Sequence, residues 1–97
     1  MAQSYAKSKW IEYGWSDEDF QSLVALWNAG SNWNVTAGNP KKAYGIPQAA
    51  PGSRMATFGP DWKTNYVTQI NWGLDYIKEK YGNPSKAWQF FQKTKWY

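Results

Sequence analysis

Apolar residues recur at helical spacing in three parts of this chain. Phe20, Leu23, Val24 and Trp27 fall at i, i+3, i+4 and i+7, which predicts an amphipathic helix from about Asp17 to Ala29. Ser16 precedes it as an N-cap, and Asp17, Glu18 and Asp19 place negative charge at the positive end of the helix dipole. Read on spacing alone, Gly30 just past the last periodic residue is a C-terminal cap. A second stripe of Ile70, Leu74, Ile77 and Tyr81 predicts a helix from about Tyr66 to Tyr81, ended by Gly82. Gly73 lies inside that helix at a cost of about 1 kcal/mol relative to alanine, which points to close packing against another element. Asn83 then caps a third helix, Pro84 takes its first position, and Ala87, Trp88 and Phe91 form its inner face to about Lys93.

The remaining segments lack a sustained period. Residues 1–15 are polar and aromatic, and residues 31–60 are rich in Gly, Pro, Asn and Ser. The second stretch is too long for an ordinary connection, so it is expected to be ordered and functional. A strand or tight loop is expected over Tyr44–Gln48, within a possible small hairpin, and a helical turn over Ser53–Ala56. No repeat or linker divides the 97 residues, which suffice for one small domain.

Composition narrows the chemistry. Eight Trp and seven Tyr can supply much of the burial of a small core. The absence of Cys and His removes disulfides, thiolate nucleophiles, Ser-His triads and His/Cys zinc sites, and no cofactor or metal is expected. Acid–base work falls to seven carboxylates, ten lysines or the tyrosines. The net charge of +4 favours anionic partners, without choosing among nucleic acid, lipid and wall polymer. No apolar run reaches the ~18 residues of a membrane span. Residues Met1–Trp10 lack the apolar stretch of a signal peptide, and Met-Ala-Gln-Ser reads as an initiator joined to an excised domain.

The segment Leu26-Trp27-Asn28-Ala29-Gly30-Ser31-Asn32-Trp33-Asn34, followed by Tyr44-Gly45-Ile46-Pro47-Gln48-Ala49, resembles the paired signatures of lysozyme-like lytic transglycosylases. The likeness extends through Asn39-Pro40, Gly52–Ala56, Asp61–Asn65, Thr68–Leu74, Tyr81-Gly82-Asn83-Pro84 and the terminal Trp96-Tyr97. It implies an α+β, predominantly α fold, lysozyme-like, with three main helices and a long ordered loop or small hairpin lining a cleft. The catalytic domain would span 14–97, with residues 1–13 an extension packed on or preceding it.

Such enzymes cut the bond between N-acetylmuramic acid and N-acetylglucosamine, and the resemblance implies one glutamate acting first as acid, then as base. Here Gly30 stands at that glutamate's position. The resemblance therefore implies an inactive variant whose acid was removed, or a naturally inactive peptidoglycan-binding domain. Ser31, Tyr44, Gln48, Trp88 and Asn34 are the implied substrate contacts, with Asn34 more a loop former than a sugar ligand. Trp88 departs from the tyrosine of many relatives. Ser22 and Ser85 stand where many relatives carry two cysteines, so the likeness implies that they meet. Asp61 is the only loop carboxylate that could replace the missing acid. Asp17–Asp19 lie at the far end of the first helix, about 17–20 Å away at 1.5 Å per residue.

The expected partner is peptidoglycan glycan or a chitin-type oligosaccharide, bound by a monomer that is secreted, wall-associated or carried on a phage tail. The rival class is a basic aromatic nucleic-acid-binding module, in which Trp, Tyr and Lys stack bases and neutralise phosphates. The lysines are dispersed and no nucleic-acid-binding motif is present, so nucleic acid is not the expected partner.

Overall fold

The computed structural model describes residues 2–95, and Trp96-Tyr97 of the family-like terminus lie outside the described residues. Two short helices, α1 (Ala2–Ser8) and α2 (Trp10–Tyr13), precede three longer ones: α3 (Asp17–Ser31), α4 (Tyr66–Tyr81) and α5 (Pro84–Thr94). A 3₁₀ helix over Gly52–Phe58 interrupts the long loop between α3 and α4.

Capping chemistry sets these boundaries. At the start of α3, Ser16 Oγ accepts from the Asp19 amide, and the Asp19 carboxylate accepts from the Ser16 amide, a reciprocal capping box. Asn65 caps α4 by accepting from Val67 N–H, and Gly82, at φ 91°, closes its far end. Asn83 accepts from Lys86 N–H ahead of Pro84, so the two residues Gly82-Asn83 end one helix and start the next.

α3 outruns its expected end. It continues through Gly30 and Ser31, and Asn32 takes the left-handed capping conformation at φ 54°, its N–H donating to Asn28 O at 3.1 Å. The expected cap at Gly30 is therefore corrected. Asparagine tolerates the left-handed region, and its use here leaves Gly30 inside the helix.

Leu23, Leu26 and Trp27 of α3 meet Ile70, Leu74 and Ile77 of α4 and Ala87 of α5 in the main core, with Ile46 of the loop. Gly73 lets α3 and the loop approach α4. A Cβ there would stand 2.6 Å from Trp27 Cζ2 and 2.8 Å from Pro47 Cβ, so only glycine fits. Ser22 Oγ and Ser85 Oγ lie 3.2 Å apart, joining α3 to the start of α5, and Ser85 Oγ also donates to Asp19 Oδ1 at 2.7 Å. The N-terminal extension is helical where no period predicted it. Ala6 is fully buried, and Tyr5 Oη donates to Asn71 Oδ1 on α4 at 2.8 Å.

The β component of the expected α+β fold is not realised among the described residues. Tyr44 makes isolated antiparallel bridges to Gly38 and Ala49, and no sheet forms. Between them the chain turns sharply through Gly45 (φ 77°) and Gln48 (φ 54°), which leaves no run long enough to pair as strands. The domain is mostly helical, and its loop is held by side chains instead. Gln69 of α4, wholly buried, is the centre of that scaffold. Its Oε1 accepts from Ile46 N–H at 2.8 Å, while its Nε2 donates to Trp62 O at 2.7 Å and Val35 O at 2.9 Å. Three distant loop segments are thus tied to one amide.

Candidate functional site

Gly30 occupies the last turn of α3 and is exposed. A Cβ built on it meets one atom, Gln48 Cγ at 3.5 Å, an ordinary contact. Its backbone is helical and lies outside the left-handed region. Neither conformation nor packing requires a glycine at this position.

Gln48 faces it from the loop. Its backbone sits at φ 54°, a region that L-residues rarely adopt. Its amide N–H donates to Gly45 O at 3.1 Å, which closes the tight turn. Its side-chain Nε2 donates to Gly45 O at 2.8 Å and Ala37 O at 3.2 Å. Both donors of the amide are directed to the protein, and its oxygen is available as an acceptor. Unfavourable backbone held in place by side-chain bonds is a frequent mark of a functional position.

Both border a cleft of about 330 Å³, walled by Ala29 and Gly30 of α3, Ala43, Gln48 and Ala50 of the loop, and Phe91 and Lys95 at the end of α5. A second groove of about 220 Å³ runs past the other side of Gln48, over Pro47, Ala49, Ala50, Arg54, Trp72, Tyr76 and Lys80. Gln48 and Ala50 border both hollows.

The other nominated residues lie around this cleft rather than on its wall. Ser31 is buried, with its Oγ 2.7 Å from Ile46 O and 3.0 Å from Trp27 O, so its hydroxyl pins the loop to α3. Tyr44 is also buried, and its hydroxyl donates to Lys63 O at 2.7 Å. Trp88 is half-buried and stacks on Phe91 at 5.9 Å between ring centres, so Phe91 is the ring that lines the cleft. Asn34 is exposed, and its Oδ1 accepts from Thr36 N–H at 2.9 Å and Thr36 Oγ1 at 3.0 Å, forming a local turn. Gly30 and Gln48 alone of the six share the cleft.

Sequence reasoning did not nominate Phe91, Lys95, Arg54, Trp72, Tyr76 or Lys80, which line these hollows. Lys95 follows Phe91 by four residues, one helical turn, and that spacing was the available signal. Trp72, Tyr76 and Lys80 likewise recur every four residues on α4.

Asp61, the loop carboxylate considered as an alternative acid, has both oxygens bonded within the protein. Thr68 Oγ1 donates to its Oδ1 at 2.6 Å and Asn65 Nδ2 donates to its Oδ2 at 2.7 Å. The Thr68 bond first, then the Asn65 bond, hold its pKa below the usual carboxylate value, so it stays ionised near neutrality. Its role is to fasten the entry to α4. Among the described residues no three His, Cys, Asp or Glu side chains gather as a metal site, and no helix is long and apolar enough to cross a membrane.

No family model, curated protein or solved structure matches this chain.

Proposed function

We propose that this chain is a peptidoglycan-binding domain of the lytic-transglycosylase type, with turnover abolished by the glycine at position 30. One observation carries the reading. Gly30 and Gln48 lie side by side on the wall of a single cleft, and they are the two positions where the sequence likeness sets the acid and the cleft glutamine.

The location suits the chemistry such an acid performs. A carboxylate in the last turn of a helix faces the negative end of the dipole, which raises its pKa. A protonated acid near neutrality is what leaving-group protonation needs. The same carboxylate, once ionised, would draw the proton from the muramic 6-hydroxyl as that oxygen closes an anhydro ring. Gly30 supplies neither step. Gln48 retains its acceptor, and Phe91 retains an apolar wall for a sugar face. Ground-state binding thus persists while the transition-state interaction is lost. The ligand is a glycan strand of the wall or a chitin-type oligomer, and the site of action is the cell wall.

A turbidity assay on purified peptidoglycan tests this. The parent chain is expected to give no lysis above background, and Gly30→Glu to lyse with anhydro-muramyl products by mass analysis. Equal lysis by both proteins would show that the acid lies elsewhere. Calorimetry with chitin-type oligomers should show parent binding, weakened about tenfold in Gln48→Ala for a lost hydrogen bond of about 1.4 kcal/mol.

A further inference from the structure

The hollow beside Gly30 has the chemistry to hold a short carboxylic acid. Position 30 contributes no side chain, and a Cβ built there meets only Gln48 Cγ, at 3.5 Å, so the space next to the α3 backbone is open. Ala29, Ala43, Ala50 and Phe91 give the cleft an apolar wall. Two polar groups interrupt it. Gln48 directs its side-chain donors to Gly45 O and Ala37 O, which leaves its Oε1 as the acceptor. Lys95 is the one charged residue on the wall, and neither ion pair among the described residues includes it.

An alkyl group packs against such a wall, while a carboxyl group needs an acceptor for its proton and a cation for its charge. Gln48 Oε1 supplies the first and Lys95 the second. The cleft volume of about 330 Å³ equals roughly ten waters at about 30 Å³ each, so an acid of four heavy atoms leaves room for a sugar. The nearby end of α3 carries the negative pole of the helix dipole, which favours the neutral form of the acid. That is the form that donates a proton.

We infer that this hollow takes a short-chain carboxylic acid from solution, and that the bound acid restores turnover to the chain as it stands. The inference rests on the glycan reading above. The acid's O–H protonates the glycosidic oxygen as the bond from that oxygen to the muramic C1 breaks. The carboxylate so formed takes the proton of the muramic 6-hydroxyl as that oxygen bonds to C1 and closes the anhydro ring. The acid is thereby regenerated, with no proton or electron pair left over. It is held by contacts and not by a covalent tether, so it forgoes the effective concentration of a side chain. Restored turnover therefore stays below that of Gly30→Glu.

The test is turbidity of purified peptidoglycan with the whole chain, using acetate as the probe and chloride to hold ionic strength constant. Acetate at about 0.5 M should raise the parent's lysis at least about tenfold above background, short of the roughly 10²–10⁴ of a positioned side chain. The products should be anhydro-muramyl by mass analysis. The restored rate should rise as pH falls from about 7 to about 5, where the neutral form of an acid of pKa about 4 becomes about a hundredfold more abundant. Gly30→Gln fills the hollow with an amide of glutamate's shape and should lose the restoration. Position 30 is exposed and helical, so that side chain is accommodated. Restoration as large in Gly30→Gln as in the parent places the acid in bulk solvent and overturns the bound acid, as does restoration that fails to rise toward pH 5. Lysis by Gly30→Glu with none by the parent in acetate overturns this inference alone. Absence of lysis from both overturns the lytic reading and the inference together.

Discussion

Replacing Gly30 by alanine should stabilise this protein. Glycine inside a helix costs about 0.5–1 kcal/mol relative to alanine, because it has more backbone freedom to lose on folding. At Gly30 nothing offsets that cost. The residue lies within α3, its φ is ordinary, and an added Cβ meets only Gln48 Cγ at 3.5 Å. One residue, Ser31, separates it from the Asn32 cap, so the lower end of the range applies. A gain of about 0.5 kcal/mol corresponds to about 2–4 °C in melting temperature for a domain of this size. Gly30→Glu should gain the same helical preference but oppose the dipole by about 0.3–1 kcal/mol once ionised, leaving it near the parent at neutral pH. The sign follows from linkage. A carboxylate whose folded pKa is raised stabilises fully below its unfolded value of about 4.3, and that stability is lost as pH rises through the folded pKa. Thermal melts at about pH 4 and pH 7 should therefore separate Gly30→Glu from Gly30→Ala at the higher pH only. A melting temperature for Gly30→Ala below the parent's would show that the fold needs this glycine, and the argument for a vacated side chain would fail.

Gln69→Leu removes three hydrogen bonds of a buried amide, one buried and two part-buried, and strands Ile46 N–H, Val35 O and Trp62 O, so urea denaturation should show a loss of about 3 kcal/mol. A loss under about 1 kcal/mol would mean that water can replace the amide. Ser22→Cys with Ser85→Cys should oxidise, since the two hydroxyls already lie 3.2 Å apart, and the bridge should raise stability by about 2–4 kcal/mol over its reduced form. A free-thiol assay that finds both cysteines unreacted under oxidant would contradict the packing of α5 on α3. Asp61→Asn should melt below the parent at neutral pH, and the gap should close as pH falls below 3.8, because a depressed carboxylate stabilises above its unfolded pKa and loses this as it is protonated. A gap that stays constant through the acid range would remove the charge from its role.

The helix ends were legible where a single residue type does the work. Ser16, Asn83-Pro84 and Gly82 act within their own turns, so local sequence suffices to place them. The end of α3 was not legible, because Gly30 and Asn32 both suit a terminus and only the chain's later course selects the asparagine. Gln69 was invisible for a different reason. Its partners lie 7, 23 and 34 residues away, and an amide on a helix stripe carries no mark of burial. The cleft was half legible. Its Gly30–Gln48 pair came from a motif, whereas Phe91 replaced Trp88 as the lining ring because of the turn at which α5 meets the loop.

The supports of the cleft set its shape independently of residue 30. Ser31 holds Ile46 from α3, Gln69 holds Ile46 from α4, and Gln48 closes its own turn on Gly45. Gly73 admits Pro47 and Trp27 against α4 from beneath. The three sets of hydrogen bonds act on the loop backbone, and none passes through residue 30. An acid at that position would stand on the finished surface with only Gln48 in reach of its first carbon. A substitution that exchanged such an acid for glycine would remove a proton donor without removing any contact on which the loop depends. Under the proposed reading, such a scaffold would lose catalysis in one substitution and keep its grip on the glycan.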